Sequence, residues 1–311
     1  MKLVLSIDGG GIRGILAARL LQAMQESSIF PKFDLISGTS TGGIIACGLA
    51  SGVPAKTIVD LYEQHGTEVF DKWALGENAL QPKFRPGALE SRLQATFGAT
   101  RLSQVTSELL IPSYCVQLPC PVDSDGDGVP ESASSWFFKS WVAREKPDYD
   151  WPLWHVARCT SAAPTYFPTM EIKDHWMIDG GVFANNPADC ALADAGDLWP
   201  DDTIKILSIG TGSKVKALNG QDTAGWGILG WAPNMPDVFM DGMADKTSYV
   251  TAKLMRRLFG DGSFLRCDIA LADVDTAFDD ASPENIAALQ NLAASFVTAQ
   301  IPRIEKFLNA P

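Results

Sequence analysis

Gly38-Thr39-Ser40-Thr41-Gly42 is the first segment of the chain whose residue types could carry out a reaction. A serine hydroxyl becomes an effective nucleophile when it stands on a sharp turn. Small residues two positions to either side let a strand and a helix close up beneath it. A helix that begins at the serine also directs its N-terminal dipole, and the N–H of Thr41, at any oxyanion formed there. The pentapeptide alone says little, because at this composition it arises by chance in about one chain in six of this length. Its setting says more: residues 33–38 read as a strand and residues 42–51 as a helix.

A second turn, Asp8-Gly9-Gly10-Gly11-Ile12-Arg13-Gly14, also falls between a strand and a helix. Adjacent glycines let several backbone N–H groups face one anion, which suits a phosphate cradle or an oxyanion hole. Glycines at 9, 11 and 14 also satisfy the dinucleotide fingerprint. That reading wants an acidic residue at the end of the next strand. Asp34 opens that strand instead, and the serine turn occupies its end. A right-handed crossover between consecutive parallel strands brings both turns to one sheet edge, where a nucleophile and an oxyanion hole belong side by side.

A hydroxyl nucleophile needs a base. The histidines are His65, His155 and His175; none follows Asp179, so the order serine, acid, histidine is excluded. His65 falls in a helix, His155 among Trp151, Trp154 and Val156, and His175 at the start of the strand that ends in Asp179-Gly180-Gly181. A carboxylate at that strand end emerges on the catalytic edge. Free aspartate is a weak base, with a pKa of about 3.9. Burial raises it, and hydrogen-bond reach of Ser40 matters more than basicity in water. Taken alone, Asp-Gly-Gly is simply a turn.

The elements that must hold these turns alternate from the first residue. Strands are predicted at 2–8, 33–38, 109–116, 136–141, 176–178, 204–209 and 265–271, and helices at 14–27, 42–51, 54–70, 87–97, 153–160, 187–198, 235–259 and 283–308. Such alternation predicts an α/β fold with a mostly parallel sheet and helices on both faces. No linker divides residues 1–311, so one domain is expected. Residues 72–86 and 213–236 lack periodicity and read as long loops, functional or disordered.

Composition narrows the function. A net charge of −12 argues against a nucleic-acid polymer as partner, since that needs a basic footprint. No stretch reaches the roughly eighteen apolar residues of a membrane span, and the N-terminus reads as a buried strand and not as a secretory signal. Cys47, Cys115, Cys120, Cys159, Cys190 and Cys267 are scattered without a C-x-x-C pair, as expected for free thiols in a cytoplasm. Asp123-Ser124-Asp125-Gly126-Asp127-Gly128 opens like a calcium loop, but Ser134 stands where an EF-hand has its bidentate glutamate, so an acidic surface turn is expected and no metal.

Together these turns resemble the patatin-like phospholipases, which share a Ser–Asp dyad with cytosolic phospholipase A2. The glycine turn looks like the family's anion-hole block, the serine turn its elbow and Asp179-Gly180-Gly181 its aspartate block. Ser161-Ala162-Ala163-Pro164-Thr165-Tyr166-Phe167-Pro168 resembles a fourth block. The resemblance implies a three-layer α/β/α fold and no cofactor, with Ser40 as nucleophile, Asp179 as base and Gly10 and Gly11 as oxyanion donors beside Thr41. It further implies that Gly9, Arg13 and Gly14 shape the anion loop, with Arg13 steadying it or meeting a lipid phosphate. Gly38 and Gly42 shape the elbow, and Gly180 and Gly181 the aspartate block. The implied substrate is a phospholipid or other lipid ester, reached by a cytoplasmic protein in peripheral contact with a membrane; a homo-oligomer is compatible with the sequence. An esterase for small esters and a non-catalytic phosphate- or nucleotide-binding module are the alternatives. The segment 223–239, with Trp226, Ile228, Leu229, Trp231, Met235, Val238 and Phe239 and glycines at 225, 227 and 230, is expected to border the acyl cleft as a lid and touch the bilayer; the alternative is that Trp226 and Trp231 pack on the sheet.

Overall fold

Lys2–Ile7 (β1) is buried at every position after Lys2, with Leu3, Val4, Leu5 and Ile7 apolar, because a central strand is covered on both faces. It pairs in parallel with Leu35–Gly38 (β2) on one side and, on the other, with a strand from far along the chain. The computed structural model describes residues 1–70, 81–118, 132–214, 218–231, 234–271 and 277–310. The remaining strands are β3 (Glu108–Gln117), β4 (Ser134–Lys139), β5 (Met170–Ile172), β6 (His175–Asp179), β7 (Ile204–Ile209), β8 (Ser213–Lys214), β9 (Phe264–Cys267) and β10 (Ala270–Leu271). The main sheet runs β5-β6-β3-β2-β1-β7-β9, with β4 also on β3; β8 and β10 form a small pair apart. Strands β9, β7, β1, β2 and β3 are parallel, whereas β4, β5 and β6 join antiparallel.

Alternation along the strands sorts side chains into two cores. Leu3, Leu5 and Ile7 of β1, with Leu207 and Ile209 of β7, enter the larger one. Val4, with Ile204 and Ile206, enters the smaller. The first face carries α1 (Gly14–Glu26), α2 (Thr41–Ala50), α3 (Ala55–Glu63), α4 (Gly66–Val69), α5 (Pro86–Phe97), α7 (Leu153–Thr160, after the short α6, Ser140–Glu145) and α13 (Pro283–Asn309). After α8 (Gly181–Ala184), the second face carries α9 (Ala188–Leu198) and α12 (Met235–Phe259). Two one-turn helices, α10 (Gly220–Thr223) and α11 (Ile228–Trp231), precede α12. The result is the expected three-layer α/β/α arrangement.

One detail of the sheet places the site. Strand β4 occupies one edge of β3 from Leu110 to Cys115. The opposite edge is therefore shared end to end: β2 pairs with residues 108–110, and β6, running the other way, with residues 113–117. The C-terminal ends of β2 and β6 point at each other.

Several boundaries differ from expectation. The helix predicted at 54–70 breaks at Gln64 and His65, the latter with φ −117° and ψ 0°, giving α3 and α4. The strand predicted at 265–271 stops at Cys267, where the Asp268 carboxylate accepts the N–H groups of Gly212 and Ile269 and turns the chain. The predicted loop 213–236 holds β8, α10 and α11. Of the other predicted loop, the described part pairs with the fourth block: Lys83 and Phe84 donate their N–H groups to the carbonyls of Thr165 and Tyr166, each at 2.8 Å. Asp123, Asp125 and Asp127 lie outside the described residues.

Candidate active site

Ser40 stands between β2 and α2 with φ 55° and ψ −123°, a left-handed conformation that costs a non-glycine residue energy. Neighbours hold it there. Its N–H donates to the Thr160 hydroxyl at 3.0 Å, and that hydroxyl donates to the Pro112 carbonyl at 2.6 Å. The Thr39 hydroxyl donates to the Ala184 carbonyl at 2.6 Å. At Gly38 a Cβ would overlap the Gly42 carbonyl, and at Gly42 the carbonyl of Ile7. Only glycine allows β1, β2 and α2 to meet this closely.

Asp179 ends β6 and is buried, with its N–H bonded to the Ala162 carbonyl at 3.0 Å. Its Oδ1 accepts the Gly181 N–H at 2.7 Å, and its carboxyl is within hydrogen-bonding contact of the Ser40 side chain. Burial raises its pKa to about 7, against the opposing pull of the bonds from Ser40 and Gly181.

The glycine loop sits across from Ser40. Gly11 has φ 57°, and a Cβ there would overlap the Phe278 carbonyl. The Gly9 N–H donates to the Asn185 carbonyl at 3.0 Å and is committed. The N–H groups of Gly10, Gly11 and Thr41 make no hydrogen bond to a described residue outside their own helical turns. Gly14 lies against the Thr41 side chain, whose hydroxyl donates to Tyr62 Oη at 2.6 Å; Tyr62 donates in turn to the Thr41 carbonyl at 3.1 Å. Arg13 is buried, with its guanidinium 3.9 Å from the centre of the Phe278 ring, and lies outside the cavity lining.

Ser40, Thr41, Asp179, Gly11 and Gly181 line one cavity of about 620 Å³. Its walls come from α3 and α4 (Leu61, Val69, Phe70), from the fourth block, and from a roof of Met235, Phe239, Met240 and Met243 on α12. Among the described residues, no lysine, arginine or histidine lines it. His65 faces Glu68 on the surface, His155 packs on Trp154, and His175 packs between Trp136 and Trp151.

A family model for patatin-like phospholipases matches residues 5–192, well over half of the chain. The chain belongs to the patatin-like phospholipase family. Patatin-like protein 2 of Arabidopsis thaliana is 29% identical over 93% of this chain and 79% of its own length. A potato (Solanum tuberosum) relative, named probable inactive patatin-3-Kuras 1, is 28% identical over 97% of this chain and 87% of its own. Membership thus includes a protein named as inactive, and competence has to be argued from residues. Among solved structures, VipD from Legionella pneumophila aligns over 95% of this chain and 67% of its own, with 13% identity and a TM-score of 0.44.

Within this patatin-like site, the segment expected to form a lid reaches the cavity at Met235 and Phe239. Trp226 and Trp231 do not line the cavity; their rings pack edge to face on each other at 5.3 Å. The residues between them protrude instead, Ile228 with 86% and Leu229 with 93% of their surface exposed. Sequence reasoning missed Thr160, Tyr62, Met240, Met243 and Asn185, whose buried Oδ1 has no hydrogen-bond partner among the described residues.

Proposed function

We propose that this patatin-like protein is a carboxylic ester hydrolase of the phospholipase A or lysophospholipase type. The observation that carries this reading is the placement of Ser40 and Asp179 together at the wall of an apolar cavity large enough for an acyl chain. Ser40 attacks the ester carbonyl as Asp179 takes its proton. A carboxylate with a pKa near 7 can both accept that proton and return it to the leaving alcohol at neutral pH. The Ser40 N–H is held by Thr160, so the tetrahedral oxyanion falls to the N–H groups of Gly10, Gly11 and Thr41. Water then attacks the acyl-enzyme with Asp179 again as base.

A phosphate- or nucleotide-binding module is disfavoured because the described residues of the lining include no cationic side chain. An esterase for small esters would leave most of this cavity empty. The approach to lipid is assigned to Ile228 and Leu229, with Met235 and Phe239, which are exposed and also line the cavity. An apolar tip continuous with the acyl cavity suits peripheral docking on the cytoplasmic side of a bilayer. A fluorophosphonate probe tests the reading: labelling at Ser40, with fatty acid released from phospholipid vesicles, is expected. A folded protein that takes no label would sink it.

A further inference from the structure

We propose that Arg266 is the positioning residue of the glycine loop, holding residues 9–11 against Ser40 through a two-pronged ion pair with Asp8. The inference rests on the hydrolase reading and adds to it a part of the chain beyond residues 5–192. Asp8 immediately precedes the loop, and its N–H bonds the Ile209 carbonyl at 3.0 Å. Arg266 Nη1 donates to Asp8 Oδ1 at 2.9 Å and Nη2 to Oδ2 at 2.6 Å. The same two nitrogens donate to the Ser208 hydroxyl and to Asp268 Oδ2, each at 2.9 Å. Asp268 is tied in turn by the N–H of Gly212 at 3.0 Å and the Ser213 hydroxyl at 2.9 Å. Thr211, between these anchors, donates its hydroxyl to the Gly9 carbonyl at 2.7 Å. Further along, the Phe278 carbonyl accepts the Ile12 N–H at 2.9 Å and abuts Gly11.

The loop therefore has little rigid support of its own. Three glycines give it freedom, and the ends of β7 and β9 remove that freedom. A paired guanidinium and carboxylate fix orientation as well as distance. Burying such a pair gains little stability over an apolar pair of like volume, which leaves orientation as its contribution. Misplacing oxyanion donors slows chemistry far more than it weakens substrate binding.

The test uses the full chain, with wild type, R266K, R266M and the double variant D8N/R266M. The double variant removes both charges of the Asp8–Arg266 pair, and the part-exposed Asp268 keeps its bonds from Gly212, Ile269 and Ser213, so geometry is separated from the burial of a lone Asp8 charge. Two readouts are taken: kcat and KM on a short soluble ester, and hydrogen–deuterium exchange of the peptide covering residues 8–16. In the folded double variant, kcat is expected to fall about tenfold or more with KM within about twofold. Exchange in the peptide should rise by a similar factor, and R266K should recover part of both. Wild-type kcat and unchanged exchange in the folded double variant would overturn the proposal. If the double variant does not fold, R266K decides: a lower kcat at constant KM with faster exchange supports the proposal, and no change in either overturns it. A wild type that takes no label at Ser40 sinks the hydrolase reading instead, and the exchange measurement still decides whether Arg266 orders the loop.

Discussion

Ser40 and Asp179 leave from strands that lie end to end on one edge of β3: Ser37 is opposite Leu110, and Asp179 is opposite Ser113. Three residues of a single strand, about 10 Å of backbone, set the separation of the two anchors. The side chains then close the gap from a left-handed Ser40 on one side and a buried Asp179 on the other. Ser40→Ala is expected to abolish ester hydrolysis and probe labelling without altering the circular dichroism spectrum. Asp179→Asn should lower kcat at least a hundredfold, the scale for losing a general base. Near-normal turnover in Asp179→Asn, with loss in His155→Ala or His175→Ala, would show that the base is elsewhere.

The raised pKa of Asp179 makes a pH prediction. A base must be deprotonated, so kcat should climb with pH and level off above about 7. For stability the sign is opposite. The folded pKa lies above the ordinary 3.8, so the folded state holds this proton longer than the unfolded one, and stability falls as pH rises between about 4 and about 7. Asp179→Asn removes the penalty. Its melting temperature should exceed that of wild type at pH 8 and match it near pH 4; the reverse order in a thermal scan would refute the buried-carboxylate picture.

Gly11→Ala should lower kcat by about a hundredfold or more while moving KM little, because a Cβ at φ 57° meets the Phe278 carbonyl and the loop must shift. Steady-state kinetics on a short ester, alongside a melting curve, separates this from unfolding. A wild-type rate in a folded variant would return the loop to a structural role.

Ile228→Ser with Leu229→Ser should impair hydrolysis of phospholipid vesicles severalfold or more and leave a short soluble ester and the melting temperature unchanged, since both side chains are almost fully exposed. Trp226→Ala with Trp231→Ala breaks a ring pair and should lower the melting temperature as well. Vesicle sedimentation reads the docking directly. Equal binding by wild type and the Ile228/Leu229 variant would remove this tip from the membrane contact.

Hydrolysis should persist in EDTA, because neither Ser40 nor Asp179 needs a metal to exchange a proton. A loss restored by added calcium would instead point to Asp123, Asp125 and Asp127.

The turns were legible because their chemistry is local. A glycine-flanked serine between a strand and a helix, and an aspartate at a strand end, can be read within five residues each. Their supports were not. The Asp8–Arg266 pair spans 258 positions, and Thr160 reaches the Ser40 N–H across 120. Nothing in composition or spacing joins residues that far apart without a sheet order. The pairing of Trp226 with Trp231 was hidden for a different reason. A single turn of helix brings positions 226 and 231 together and turns 228 and 229 outwards, so the residues of highest interfacial preference pair with each other.

The roof of the cavity has a consequence for which lipids fit. Met235, Met240 and Met243 are unbranched thioethers on one helix, and each can change rotamer without moving the backbone. A wall of branched residues would read the contour of an acyl chain, favouring straight over kinked. Thioethers re-form around either, so saturated and cis-unsaturated chains should be handled alike. Selectivity is then left to whatever binds at the mouth.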